Sequence, residues 1–140
     1  MLKKSAGRQT SERRASRVKT YALSDLESKQ LKPRLRAIVV HAARMTVTRY
    51  SFGGGGLFPH HVHNQEQITY VLDGQLTFVV GRQFHRLSAG DLIVIPAGVP
   101  HSAEAGSAGA EALSVVSPAR HSRRPLTLLE PDHKRQKQKR

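Results

Sequence analysis

The chain of 140 residues is long enough for one domain, and its 38% hydrophobic content can bury a core. With no cysteine, disulfides and thiolate ligands are excluded, so any metal must rest on nitrogen and oxygen donors, for which eight histidines are available. The net charge of +13 sits at the two ends: residues 1–20 and 117–140 each net +6, whereas 21–116 net +1.

Residues 1–20 carry too few apolar side chains to offset the entropy of ordering, so a disordered basic tail is expected there. No run of eighteen apolar residues occurs and no hydrophobic stretch follows the N-terminal charges, so neither a membrane span nor a secretory signal is expected and the cytoplasm is the expected location. Basic tails attract polyanions through counterion release. No helix-turn-helix, zinc-finger or aromatic RNA-binding pattern accompanies them, so no specific nucleic-acid partner is expected. Tyr21–Leu31 reads as a short helix, with Ser24 and Glu27 placed for a capping box and Pro33 as its stop. Eleven residues are marginal for a helix unless it packs on the domain.

From Leu35 the texture becomes β: Leu35–Val40, then Ala43–Phe52, where Met45 and Val47 alternate with Thr46 and Thr48. Gly53–Gly56 reads as a flexible loop. Farther on, Gln67–Leu72 and Gln75–Val80 flank Asp73-Gly74, a dipeptide suited to a type I′ hairpin turn, and Gly81-Arg82 leads tightly into Gln83–Leu87. Asp91–Ile95 is an apolar run between turn residues, and His101–Ala105 and Glu111–Val116 complete the set. Regular short strands with turn signals imply an all-β sandwich or barrel. The expected organisation is a domain at 21–120 between basic tails at 1–20 and 121–140.

His61 and His63 stand two residues apart, a spacing that puts both imidazoles on one face of a strand, as a metal site requires. His60 has the opposite parity and reads as a rim residue, while His41, His85, His121 and His133 have no spacing partner.

Two spaced patterns in this region resemble the signature motifs of the cupin superfamily. The first, G-x5-H-x-H-x3,4-E-x6-G, is matched by Gly55, His61, His63, Gln67 and Gly74, with glutamine where the family usually has glutamate. The second, G-x5-P-x-G-x2-H-x3-N, is matched by Gly90, Pro96, Gly98 and His101, with Ala105 in place of the final asparagine. The resemblance implies a cupin fold, a double-stranded β-helix or jelly-roll barrel, holding one divalent transition metal on His61, His63, Gln67 and His101. In an unbroken strand Gln67 shares the face of the histidines and Glu66 points away, whereas a kink at Asn64-Gln65 reverses this. The family spacing to Gly74 selects Gln67. Three neutral imidazoles and an amide oxygen leave a divalent ion its whole charge, which favours binding of anionic oxygen. Such donors suit Ni, Zn, Co, Fe or Mn without choosing among them.

The stretch His61–Gly74, H-x-H-x2-E-Q-I-x-Y-V-L-x-G, is similar to a narrower group: small cupins that open the ring of 4,5-unsaturated uronates released from pectin or alginate. The closing strand of that group, V-L-D-V-F-S-P-P-R, corresponds to Ala112–Arg120. The resemblance implies that Arg120 holds a substrate carboxylate, and it puts Ser114 at the position of the catalytic aspartate. Serine is a poor base near neutral pH without a partner. Two readings follow: a metal-dependent lyase or isomerase acting on a small anionic sugar, and a non-catalytic metal-containing cupin that binds or senses a small ligand. A dioxygenase is a weaker third, because an iron site with the usual glutamate suits oxygen chemistry better than this neutral set. By resemblance to small cupins a homodimer is expected.

Overall fold

The computed structural model describes residues 10–120 and, beyond them, the backbone of Thr127–Leu128. His121, His133 and most of the C-terminal tail lie outside the described residues. Among the described residues nine strands follow one another: β1 (Lys29–Lys32), β2 (Leu35–His41), β3 (Thr46–Phe52), β4 (Leu57–Val62), β5 (Glu66–Val80), β6 (Gln83–Ser88), β7 (Leu92–Ile95), β8 (His101–Ser117) and β9 (Thr127–Leu128). All strand pairs are antiparallel. This is the all-β cupin barrel that the two motifs imply.

The long strands β5 and β8 pair with each other along most of their length and give the barrel its shape. The first half of β5 and the last half of β8 join β7, β3, β2 and β1 in one layer. Their other halves join β6, β4 and β9 in the second. Asp73-Gly74 is therefore not a hairpin turn, as expected from the dipeptide, but a pair of register shifts inside one continuous strand. The cause lies across the ladder. Gly74, at φ +74°, packs so closely on Gly109, at φ +80°, that a Cβ at 74 would stand 2.1 Å from the Gly109 carbonyl oxygen. A left-handed residue without a side chain lets both strands bend together, which is the role of a bulge rather than of a loop. For the same reason His101–Ala105 and Glu111–Val116 are parts of one strand.

Two further expectations change. Tyr21–Leu31 holds only a 3₁₀ turn at Leu23–Asp25 with no side-chain cap, and from Lys29 the chain is strand β1. The short segment gains more from pairing Lys29 with Ala37 and Gln30 with Arg36 than from an isolated helix. Residues 10–15, within the basic N-terminal tail, form an exposed helical segment. Gly53–Gly56 is a tight turn, closed by Gly56 N–H donating to the Gly53 carbonyl at 2.8 Å and tied to β8 by Gly55 N–H donating to the Gly106 carbonyl.

The core between the layers joins Leu35, Phe52, Phe58, Val71, Leu76, Phe78 and Ile95 with the small Ala103, Ala105, Ala110 and Ala112. Each large side chain contributes roughly 2 kcal/mol by leaving water. The alanines contribute space instead, and a cavity of about 580 Å³ opens among them. On β3 the polar Thr46 and Thr48 face inward and are buried, whereas Met45 is exposed. The pleat thus lines the cavity with hydroxyls.

Gly74→Ala should lower unfolding free energy by at least about 2 kcal/mol through φ strain and backbone collision. Gly81→Ala, at φ +59° with nothing within 4 Å of the added Cβ, should cost less. Denaturant unfolding of the two variants measures the difference.

Candidate metal centre

His61 sits near the end of β4, His63 just beyond it, Gln67 is the second residue of β5 and His101 is the first of β8. The chain bends at His63–Gln65, so β4 and β5 are separate strands and no unbroken strand carries 61, 63 and 67. Gln67 nonetheless points inward because the period of β5 itself buries Gln67, Thr69 and Val71 and exposes Glu66, Ile68 and Tyr70. His101 is paired with His61 across the β4–β8 ladder.

The three histidines offer ligand atoms within 4.8 Å of one another, with ring centroids 4.2 Å apart for His61 and His101 and 5.0 Å for His63 and His101. Each ring is oriented the same way. The Nδ1 of His61 lies 2.7 Å from the Pro59 carbonyl, that of His63 3.0 Å from the Gln65 carbonyl and that of His101 2.8 Å from the Val99 carbonyl. A carbonyl only accepts, so each Nδ1 donates its proton and a neutral ring carries its lone pair on Nε2. Gln67 Oε1 stands 2.9 Å from His63 Nε2 and 3.2 Å from His101 Nε2. The Gln67 Nε2 donates to Thr69 Oγ1 at 2.9 Å, which turns the amide oxygen, not the amine, to the imidazoles.

Acceptors therefore meet acceptors at hydrogen-bonding distance. Protonating the rings would resolve this, but burial opposes it. Burial pushes His61 down to about 3, with His101 acting in the same direction, and pushes His101 down to about 4 against the Val99 hydrogen bond. His63 is also lowered by burial, against the hydrogen bond that a protonated ring would donate to Gln67. A divalent cation is the partner that such neutral nitrogen and oxygen donors fit, and each Nδ1–carbonyl bond holds its ring in the ligating tautomer.

The cavity beside this cluster is lined by His61, Gln67, His101, Ser114 and Arg120. Ser114 is buried on β8 with its Oγ 3.0 Å from Thr69 Oγ1, not turned freely toward a ligand. Arg120 follows β8, and its backbone N–H donates to Thr46 Oγ1 at 2.7 Å. Its guanidinium charge and the Thr48 side chain both favour the ionised form of the Tyr50 phenol. Burial raises the Tyr50 pKa above its ordinary value, against the Arg120 charge, so the phenol keeps its proton. His41, which has no spacing partner in the sequence, also lines the cavity, with Nδ1 2.9 Å from Thr46 Oγ1. Thr46, Thr48, Tyr50 and Thr69 were not singled out from the sequence, although the same period of two that selects Gln67 reaches Thr69.

The Cupin domain family model matches residues 48–116, and the fold is that of a small cupin. Among solved structures it is similar to KdgF from Halomonas sp., with a TM-score of 0.69 and 22% identity over 75% of this chain and 96% of the other. An RmlC-like cupin from Shewanella frigidimarina NCIMB 400 gives a TM-score of 0.68 and 23% identity over 74% and 95% of the two chains. An S161A mutant of Bacillus subtilis oxalate decarboxylase OxdC gives 0.71 and 22%, over 78% of this chain but 32% of its own. Among curated proteins, acireductone dioxygenase of Tuber melanosporum (strain Mel28) is 45% identical over 49 residues, which span 31% of this chain and 28% of that one. Among the described residues, no helix is long and apolar enough to cross a membrane.

His101→Ala should abolish stoichiometric metal uptake, measured by elemental analysis after dialysis against Zn(II). His60→Ala should retain it. Stripping the metal from wild type should lower its stability by about 3 kcal/mol relative to protein in a hundredfold excess over Kd.

Proposed function

We propose that the chain is a metal-dependent cupin that opens or tautomerises the ring of a small anionic sugar such as an unsaturated uronate. The observation that supports this most is the pairing, across one cavity, of a neutral three-histidine, one-glutamine cluster with the Arg120 guanidinium. Among the described residues lining that cavity Glu27 is the one acid, so an anion entering it meets little repulsion. A divalent transition metal ion, when bound, polarises a carbonyl or hydroxyl oxygen as a Lewis acid. Arg120 orients the carboxylate through a bidentate pair, for which its planar fork is suited. Gln67, being uncharged, leaves the ion's full charge to act on substrate. The proton that ring opening requires is held by Tyr50, which lines the same cavity as Arg120 and whose phenol stays protonated at neutral pH. Ser114 lacks a base partner in this arrangement.

Ser114 in place of aspartate supports a second reading, a cupin that binds or senses the same anion without turnover. Incubating metal-loaded protein with an unsaturated uronate and following loss of its conjugated absorbance separates the two. The enzymatic reading expects turnover that falls about 10- to 100-fold in kcat/KM in Arg120→Ala. Saturable binding with unchanged absorbance would support the sensor instead.

A homodimer follows the same reading. Its support is an exposed apolar face on the outer layer, where Ile68 pairs with Val94 and Tyr70 with Leu92, all between 39% and 54% exposed. Wild type should sediment as a dimer, and Leu92→Asp should shift it to monomer.

A further inference from the structure

We propose that Ser114 is a positioning residue: acting through Thr69, it holds the Gln67 amide with its oxygen turned toward the His61–His63–His101 cluster. This rests on the metal reading of that cluster.

Three contacts carry it. Gln67 Nε2 can only donate, and it donates to Thr69 Oγ1 at 2.9 Å. Thr69 Oγ1, having accepted, has its own proton to place, and Ser114 Oγ lies 3.0 Å away. Gln67 Oε1 is then left facing His63 Nε2 and His101 Nε2. The chain runs across one wall of the barrel because Thr69 on β5 and Ser114 on β8 are direct cross-strand partners on the inward face. Both are buried, at 2% and 4% exposure, where loss of a hydrogen-bond partner is costly.

A cation drawing electron density from the amide oxygen makes the amide N–H a stronger donor. The N–H···Oγ1 bond to Thr69 and the bond from Thr69 to Ser114 strengthen in turn. The hydroxyl chain thus stabilises the loaded site more than the empty one. Ser114 gives a metal ligand its aim, a different task from the proton transfer that an aspartate at the position would perform.

Co(II) alone is the probe, because its visible absorption reports both affinity and ligand geometry. Ser114→Ala should weaken Co(II) binding by about 10-fold or more, the usual effect of removing a group that orients a metal ligand. Ser114→Thr, which keeps the hydroxyl, should bind nearly as wild type does. In a Gln67→Ala background the Ser114→Ala change should add nothing, because its effect passes through that side chain. Thermal melts of the metal-free variants identify any that do not fold, and Thr69→Val gives the same comparison in place of Ser114→Ala. Equal affinity in wild type and Ser114→Ala, or the same loss with and without Gln67, would overturn the positioning role while leaving the metal reading intact. Absence of Co(II) binding by wild type would overturn the metal reading, and the proposal with it.

Discussion

Three imidazole N–H groups donate to backbone carbonyls at Pro59, Gln65 and Val99, and by doing so they aim three Nε2 lone pairs at one point. A fourth acceptor, Gln67 Oε1, arrives at the same place with its amine already committed to Thr69. Among the described residues no donor faces this meeting of acceptors, and burial makes ionising the rings costly. A positive centre is the partner that such a set of neutral donors fits. The remaining elements hold these four groups in place or give a ligand access to them.

The two long strands perform the first task. His101 opens β8 and Gln67 lies near the start of β5, yet these ends meet across the barrel because both strands bend at Gly74 and Gly109. Straight strands would separate the layers that carry His61 and Gln67. The alanines of β8 perform the second task by leaving the cavity open beside the cluster, while Thr46, Thr48, Tyr50, Thr69 and Ser114 face it with neutral hydroxyls. Such a wall suits oxygen-rich ligands without adding charge, and Arg120 and Lys29 bring positive charge to the cavity lining.

Much of this was legible from spacing. The histidine pair, Gln67 and His101 could be named because motif spacing and strand parity are local properties that survive folding. The reason given for Gln67 was incomplete: the bend at His63–Gln65 breaks the strand, and it is the period of β5 alone that turns Gln67 in and Glu66 out. Asp73-Gly74 misled because a left-handed glycine serves a bulge as readily as a hairpin, and only its cross-strand neighbour Gly109 decides between them. Tyr21–Leu31 misled because its capping residues compete with strand pairing to Leu35–Ala37, a partner no local pattern reveals. The hydroxyl wall was illegible for the same reason. Thr69 and Ser114 lie 45 residues apart in sequence and become neighbours only through the β5–β8 register.

The account depends on where three protons reside, and nitrogen-15 chemical shifts of the imidazole rings report that directly. Long-range proton–nitrogen correlation spectra should be recorded on metal-free protein and again after adding Zn(II). The account predicts protonated Nδ1 and bare Nε2 in His61, His63 and His101, with all three Nε2 resonances displaced by Zn(II) and those of His85 unmoved. A proton on Nε2 of any of the three, or Nε2 resonances that ignore the metal, would contradict it.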